Sequence, residues 1–168
     1  MATESTRQTA EHFIDAGSAS TPEDAATLVT MHCRAFVARN GATCDANLYK
    51  LSGRDLVRVN RTAGSARKAF NRTRKQDAPA VEATRTVERI MAKQPTFCPN
   101  VASRRWRRKL DLAPGQRTYS AFISVPLCDA NGTVVGMLSL NSSKRGVLTS
   151  LHQEYLEAVG RIYVAWNT

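Results

Sequence analysis

The stretch YSAFISVPLCDANGTVVGMLSLNSS, residues 119–143, predicts two strands joined by a turn. Apolar side chains occupy alternate positions of residues 119–128, which is typical of a strand with one buried face. Residues 129–132 end in Asn-Gly, a dipeptide that supplies the positive backbone angles of a tight hairpin. Residues 134–140 are apolar at nearly every position, so we expect this strand to be buried on both faces at the centre of a sheet.

The N-terminal part of the chain predicts a helix and a second hairpin. Residues 21–24 are Thr-Pro-Glu-Asp, where threonine can cap, proline fits the first turn and the acids favour the positive end of the helix dipole. Asn-Gly at residues 40–41 ends this helix. Two apolar runs, residues 45–51 and 56–60, flank a Ser-Gly turn and predict a pair of strands.

The middle of the chain gives weaker signals. Residues 62–79 predict a loop or a short helix, and residues 80–93 predict a helix from the spacing of their apolar side chains. Residues 95–101 predict a short edge strand, because their prolines cannot donate to a central ladder. Residues 103–116 form a basic segment that ends in a Pro-Gly turn.

The last helix is predicted to begin near residues 149–150 and to continue to the end of the sequence. Its apolar side chains recur at helical spacing and form a predicted stripe of Leu151, Tyr155, Val159, Ile162 and Trp166. Two histidines, His32 and His152, fall on the two terminal helices and are expected at helix surfaces or interfaces.

Composition favours an ordinary globular protein of 168 residues with 42% hydrophobic residues. Residues 1–20 are polar and small, which predicts a flexible leader and no signal peptide. No apolar run reaches the roughly 18 residues that span a bilayer, so we expect a cytoplasmic protein without a membrane partner. The four cysteines are dispersed, which predicts free thiols, and the dispersed histidines predict no metal site.

The net charge of +10 is concentrated in one part of the chain. Residues 54–109 contain 16 Lys and Arg against 4 Asp and Glu, whereas the rest contains 8 and 10. The basicity therefore belongs to the middle of the chain, where it favours an anionic partner.

The C-terminal motifs resemble the GAF domain. The resemblance rests on SAFISVPL at residues 120–127, the turn that runs from Asp129 to Gly132, VGMLSLNS at 135–142 and the capped helix from Thr149. It implies an α+β fold with a GAF/PAS-like central antiparallel sheet of five to six strands. The terminal helices would pack on one face and the connecting segments on the other, in a single domain over residues 21–168.

The resemblance also implies a sensory or regulatory function. Residues 62–117 would then wall a pocket for a small ligand of unknown identity, for which the arginines favour an anion, and no cofactor can be named. Signals would pass through the terminal helices, which often pair in a homodimer, and the chain would be part of a larger signalling protein. The predicted ligand-binding residues are Arg104, Arg105, Trp106, Arg107, Arg117, Tyr119, Phe122 and Ser124.

Two alternatives remain open at this point. The basic segment is also compatible with a module of the same fold that binds nucleic acid or an acidic protein. The pocket could instead be filled by large side chains of the domain itself, namely Phe70, Phe97, Trp106, Tyr119 and Phe122. One branch of the GAF family reduces free methionine sulfoxide with a cysteine in a G-V-C-G segment. That segment is absent, no cysteine lies between Cys98 and Cys128, and the three histidines have no motif that supports Ser/His/Asp catalysis. We therefore expect no enzyme activity.

Overall fold

The structure is a computed structural model that describes residues 21–38, 43–62, 69–70, 78–113 and 118–167. The leader predicted for residues 1–20 and most of the loop predicted for residues 62–79 lie outside these ranges. The described residues form four helices and six strands. In chain order these are α1 (Pro22–Ala38), β1 (Cys44–Ser52), β2 (Asp55–Arg61), β3 (Ala69–Phe70), α2 (Ala78–Met91), β4 (Thr96–Cys98), α3 (Arg104–Leu110), β5 (Ala121–Cys128), β6 (Val134–Ser142) and α4 (Ser150–Trp166).

The strands form one antiparallel sheet in the order β3-β2-β1-β6-β5-β4. Strand β6 lies between β1 and β5, and most of its side chains are buried. This confirms the prediction of a central strand with two covered faces. The short strand β4 lies at one edge, as its prolines predicted, and the two-residue strand β3 lies at the other.

The loop between β5 and β6 differs from the predicted tight turn. Gly132 has a positive φ of 74°, but Asn131 does not. The side chain of Asp129 closes a wider loop instead, because its Oδ1 accepts hydrogen bonds from the backbone N–H groups of Asn131 at 2.9 Å and Thr133 at 2.8 Å. An aspartate that bonds to the backbone two residues ahead replaces the second positive angle that an Asn-Gly turn requires.

The terminal helices pack together on one face of the sheet, as predicted. Leu48 of β1, Ile123 of β5 and Leu140 of β6 belong to the same buried cluster as side chains of α1 and α4. Within this cluster the ring of Phe36 stacks on that of Tyr155, with centroids 3.9 Å apart. The two helices and the central strands therefore share one apolar core.

The stripe predicted for α4 is rotated from the observed buried face. Leu151 is 39% exposed, and the buried residues are His152, Tyr155, Leu156, Val159, Gly160 and Val164. The reason is the close approach at Gly160, where a Cβ atom would lie 2.6 Å from Cδ2 of Leu127 on β5. Glycine at this position lets the helix turn that side toward the sheet.

The opposite face of the sheet carries α2 and α3. Val87 and Ile90 of α2 pack with Tyr49 and Met137 in a second buried cluster. Successive strand residues face opposite sides, and the neighbours of Tyr49 and Met137 along their strands point to the terminal helices. Leu110 of α3 lies in a third cluster with residues of β4 and β5. Helix α3 was predicted only as a basic segment.

Candidate functional site

A groove of about 780 Å³ lies where α2, β4 and α3 meet. Helix α2 lines it with Arg85, Glu88 and Arg89, and strand β4 with Thr96 and Phe97. The third wall consists of Trp106, Lys109 and Asp111. Its volume is in the range of small-molecule sites, and it combines aromatic surface with cations, as such sites do.

The cations of the groove are held in place by neighbouring groups. Arg85 forms ion pairs with Glu88 at 3.0 Å and with Asp111 at 3.5 Å. Arg89 donates a hydrogen bond from Nη2 to the carbonyl of Leu110 at 3.0 Å. Burial lowers the pKa of Arg89, yet a guanidinium stays charged at neutral pH. These contacts connect α2 to α3 and fix the orientation of two guanidinium groups.

Lys109 adds a third cation on the other side of the groove. Its Nζ lies 4.9 Å from the centre of the Trp106 ring, a distance at which the ring face attracts a positive charge. Cations outnumber carboxylates in the groove by three to two. The groove is therefore suited to a ligand with an aromatic or apolar part and at least one negative charge.

A row of polar side chains crosses the sheet from this groove. In the strand register Thr96 pairs with Ser124, Ser124 with Ser139, and Ser139 with Asn47. Residues that pair directly share one face of a sheet, and Asn47 lies on the face of Tyr49, which packs against α2. We call these four residues the polar row. All four are buried, with exposures of 8% or less.

The side chain of Asn47 differs from its neighbours in having no partner. It is fully buried, and neither its Nδ2 nor its Oδ1 makes a hydrogen bond with any residue that the structure describes. A buried polar atom without a partner costs about 1–3 kcal/mol. Such atoms are therefore rare in folded proteins.

The predicted ligand-binding residues fall in several places. Ser124 is in the polar row, and Trp106 lines the groove. Tyr119 and Phe122 pack edge to face with centroids 6.0 Å apart, in the cluster that contains Cys98 and Leu110. Arg117 lies outside the described residues.

The arginines of α3 do not converge on the groove. Arg104 and Arg107 line a separate depression of about 580 Å³, together with Arg108. Arg105 is exposed on the same short helix. A ligand-binding role for these residues stays a prediction.

Sequence reasoning missed several residues that the fold brings together. Arg85 and Arg89 lie on a helix that was predicted for its apolar spacing alone. Asn47 and Ser139 were not singled out, although each is a polar residue with an apolar residue on either side of it in its strand. That pattern was a usable signal, but only the register shows that the two polar residues are neighbours.

The aromatic residues considered as a filling for the pocket do not form one cluster. Trp106, Tyr119 and Phe122 pack together, whereas Phe97 packs toward the terminal helices. Phe70 contacts the ring of Tyr49 at 5.3 Å. The rings are thus distributed over three clusters.

The cysteines are free thiols, as predicted. Cys33, Cys44 and Cys98 are buried, and Cys128 is half-buried. Burial raises the pKa of Cys33 to about 12, which suppresses the reactive thiolate at neutral pH.

His152 is not the surface or interface residue that was expected, because it is buried and caps α4. Its Nδ1 accepts a hydrogen bond of 3.0 Å from the backbone N–H of Thr149, as the third residue of a capping box does. Its ring also meets Phe36 edge-on at 5.4 Å. Burial lowers the pKa of His152, which is consistent with a neutral ring that accepts at Nδ1. His32, in contrast, is exposed.

The sequence model of the GAF domain matches residues 19–164. The chain belongs to the GAF domain family. A solved structure of a candidate GAF sensor protein from Burkholderia vietnamiensis is similar with a TM-score of 0.64 and 17% identity, covering 99% of this chain and 94% of that one. The GAF domain of an Acinetobacter phosphoenolpyruvate-protein phosphotransferase is similar with a TM-score of 0.63 and 10% identity, over 98% and 89% of the two chains.

Because all the sequence identities are low, these structural likenesses show the fold alone. No curated protein has a sequence significantly similar to this chain. The comparisons confirm both the predicted GAF resemblance and the α+β fold with an antiparallel sheet. Across the described ranges, no helix is long and apolar enough to cross a membrane.

The prediction that the chain is not an enzyme was wrong. A type II free methionine-R-sulfoxide reductase from Thermoplasma acidophilum is similar with a TM-score of 0.62 and 12% identity, over 86% of this chain and 92% of that one. The fold of this GAF domain is therefore also an enzyme fold. The absence of a few catalytic motifs was too narrow a basis for the prediction.

Proposed function

We propose that this GAF domain is a sensory or regulatory module that binds a small anionic ligand in the groove between α2, β4 and α3. The observation that carries the proposal is the groove itself, which places two fixed guanidinium groups, a lysine and an indole ring around about 780 Å³. Guanidinium groups bind carboxylates and phosphates through paired hydrogen bonds, and an indole face binds planar apolar groups.

The response to the ligand would reach the terminal helices through β5. Thr96 of β4 lines the groove and pairs with Ser124 of β5. The residues on either side of Ser124, Ile123 and Val125, belong to the apolar core shared with α1 and α4. A ligand that moves β4 would therefore act on this core through one strand, provided that it binds two states with different affinity.

We further propose that α1 and α4 carry the signal to a partner, as a homodimer or within a larger signalling protein. Met31 of α1 is 57% exposed and Leu151 of α4 is 39% exposed. Apolar side chains on the outer surfaces of these helices favour a protein contact there.

The alternative function is a basic module for nucleic acid or an acidic protein. It is favoured by the exposure of Arg104, Arg105, Arg108 and Lys109 on α3. Exposed cations on one short helix could follow a phosphate backbone, and such binding weakens steeply as salt rises. The salt dependence of binding separates this alternative from a small-molecule site.

A thermal-shift screen tests the proposed function. The panel contains nucleotides, amino acids, dicarboxylates and short single-stranded oligonucleotides, each at low and moderate salt. A ligand at about 100 times its dissociation constant stabilises by about 2.7 kcal/mol, or roughly 5–11 °C at this chain length. The proposal predicts a shift of this size with one small anion that persists at moderate salt.

Matched variants connect that shift to the groove. Arg85→Ala should remove most of the ligand-induced shift, because it deletes one of the oriented guanidinium groups. Lys144→Ala removes the same charge from an exposed position after β6, so its shift should equal that of the wild type. A shift seen only with oligonucleotides, lost as salt rises and unchanged in Arg85→Ala, would support the alternative instead.

A further inference from the structure

Helix α3 has two sides that belong to different parts of the surface. Trp106 and Lys109 line the groove, whereas Arg104, Arg107 and Arg108 line the separate depression of about 580 Å³. With 3.6 residues in each helical turn, these two sets of side chains lie on opposite sides of the helix. We call the side of the three arginines the outer side of α3. A partner on the outer side leaves the groove open to a small ligand.

The guanidinium groups of α3 have no partner within the described part of the chain. The four arginines of the helix are Arg104, Arg105, Arg107 and Arg108. Their side chains form no ion pair and no hydrogen bond with any residue that the structure describes. The carboxylate that lines the depression, Asp111, pairs with Arg85 of α2 instead. The donors of these four guanidinium groups are therefore available to an anion from outside.

The charges of α3 oppose the formation of the helix. Its sequence, RRWRRKL, contains no acidic residue. Residues three or four apart on a helix are neighbours, and like charges at these spacings destabilise it. Arg104 has such neighbours in Arg107 and Arg108, and Arg105 has them in Arg108 and Lys109. Two of these cations also lie in the first turn, where the helix dipole disfavours positive charge. This arrangement favours an anionic partner over a role in folding.

The chemistry of the outer side distinguishes between the classes of anionic partner. A protein interface has a core that is rich in aromatic and apolar side chains, and a helix that lies on a membrane inserts an apolar face. The large apolar side chains that are exposed in the described residues all lie on other elements; they are Met31, Val57, Val59, Met91 and Leu151. A phosphate backbone requires only cations, and guanidinium groups bind phosphates through paired hydrogen bonds. The isoelectric point of about 10.0 is also typical of a domain that binds nucleic acid.

We propose that the outer side of α3 binds the phosphate backbone of a nucleic acid. Arg104, Arg107 and Arg108 hold phosphates at the depression, and Arg105 adds a cation beside it. Contacts to phosphate position a nucleic acid without reading its bases, so the binding has no sequence preference. The inference does not depend on the ligand of the groove, because the two partners use opposite sides of one helix. It differs in this respect from the alternative function, in which such a partner takes the place of the small ligand.

The experiment measures binding of the whole chain to single-stranded DNA by fluorescence anisotropy. The probes are a fluorescein-labelled oligothymidylate of about 20 nucleotides, which exceeds the usual site size of one small domain, and a mixed-sequence strand of the same length. Both should bind with similar affinity. With roughly three to four phosphate contacts, the plot of log affinity against log salt should have a slope of about −2 to −3. The affinity should then fall roughly 20–50-fold between 50 and 200 mM salt.

Two double variants locate the binding surface. Arg104→Ala/Arg108→Ala removes two exposed guanidinium groups from the outer side, so it should weaken binding at least roughly 10-fold at 50 mM salt and flatten the slope by about 1.4. Its melting temperature should not fall, because no contact with a described residue is lost and repulsion within α3 is relieved. Lys144→Ala/Arg145→Ala removes the same charge from exposed positions after β6. This control should keep the slope of the wild type.

Three results would overturn the inference. The first is no binding of either strand at 50 mM salt. The second is equal weakening in both double variants, which would mean a diffuse attraction by the net charge. The third is competition by poly-glutamate or by phosphatidylglycerol vesicles that is as strong as competition by unlabelled oligothymidylate at equal charge, which would assign the surface to an acidic protein or a membrane.

The groove variant keeps this inference separate from the proposed function. Arg85→Ala removes a guanidinium group of the groove and should bind the oligothymidylate as the wild type does. If it weakens that binding as much as Arg104→Ala/Arg108→Ala, the outer side is not the site and the inference fails. A thermal screen in which no small anion binds, together with intact binding of DNA on the outer side, would overturn the proposed function and support this inference.

Discussion

Gly136 offers the sharpest test of how the sheet is packed, through the substitution Gly136→Ala. Gly136 lies on β6, opposite Lys50 of β1 and Leu127 of β5. A methyl group at its Cβ would collide with the carbonyl oxygen of Tyr49 and lie 3.3 Å from the carbonyl carbon of that residue. Because the obstacle is the backbone of a neighbouring central strand, it cannot rotate away. Strands β1 and β6 would have to separate.

The expected cost follows from this geometry. Overpacking of a core usually costs 1–3 kcal/mol, and an obstacle made of backbone places Gly136→Ala at about 3 kcal/mol. For a chain of this length the melting temperature should fall by roughly 6–12 °C. Urea unfolding followed by circular dichroism gives the free energy directly, and calorimetry gives the melting temperature.

A second glycine provides the control. Gly53 has a positive φ of 60° and no atom within 4 Å of a built Cβ. Gly53→Ala therefore tests backbone strain alone, which costs about 1–2 kcal/mol. If Gly136→Ala unfolds within 1 kcal/mol of the wild type, or is more stable than Gly53→Ala, the close contact between β1 and β6 does not exist as described.

Three further outcomes are expected. Burial lowers the pKa of His152 from 6.5, so the unfolded state takes up this proton more readily and stability should be lost as pH falls below about 6.5. The variant His152→Gln keeps a capping acceptor, and its free energy of unfolding should depend less on pH between pH 5 and 8. An unchanged pH dependence would contradict this role of His152. Glu82→Ala should destabilise the domain by about 1.5–3 kcal/mol in urea, because the buried carboxylate accepts a 2.8 Å hydrogen bond from the N–H of Ala113; a neutral result would mean that the contact contributes nothing. Iodoacetamide should label Cys128 first in the native protein, since the other three thiols are buried, and equal labelling of all four by mass spectrometry would contradict the packing.

The sheet was predictable because its strands carry strong local patterns. The alternation in β5 and the continuous apolar run of β6 are direct consequences of one-sided and two-sided burial. Helix α4 was located by its start at Thr149. The buried side of α4 was not, because the approach of Gly160 to Leu127 is a contact between distant parts of the chain.

The candidate site was less predictable than the fold. Helix α3 contains five cations in seven residues. Its one buried residue is Leu110, so its sequence shows no apolar periodicity from which a helix could be predicted. The arginines of that segment dominated the sequence-based site, whereas the groove takes its fixed guanidinium groups from α2. The polar row depends on strand register, which a single sequence does not specify for strands so far apart in the chain.

Fluorescence of Trp106 tests the central claim most directly. The chain has 2 tryptophans, Trp106 in the groove and Trp166 at the end of α4, so Trp166→Phe leaves the groove with the single indole reporter. Titration of this variant with the anion that gives the largest thermal shift should change the emission saturably, with the dissociation constant found for the wild type. A ligand that stabilises the domain while the emission of Trp106 stays constant would contradict binding in the groove between α2, β4 and α3.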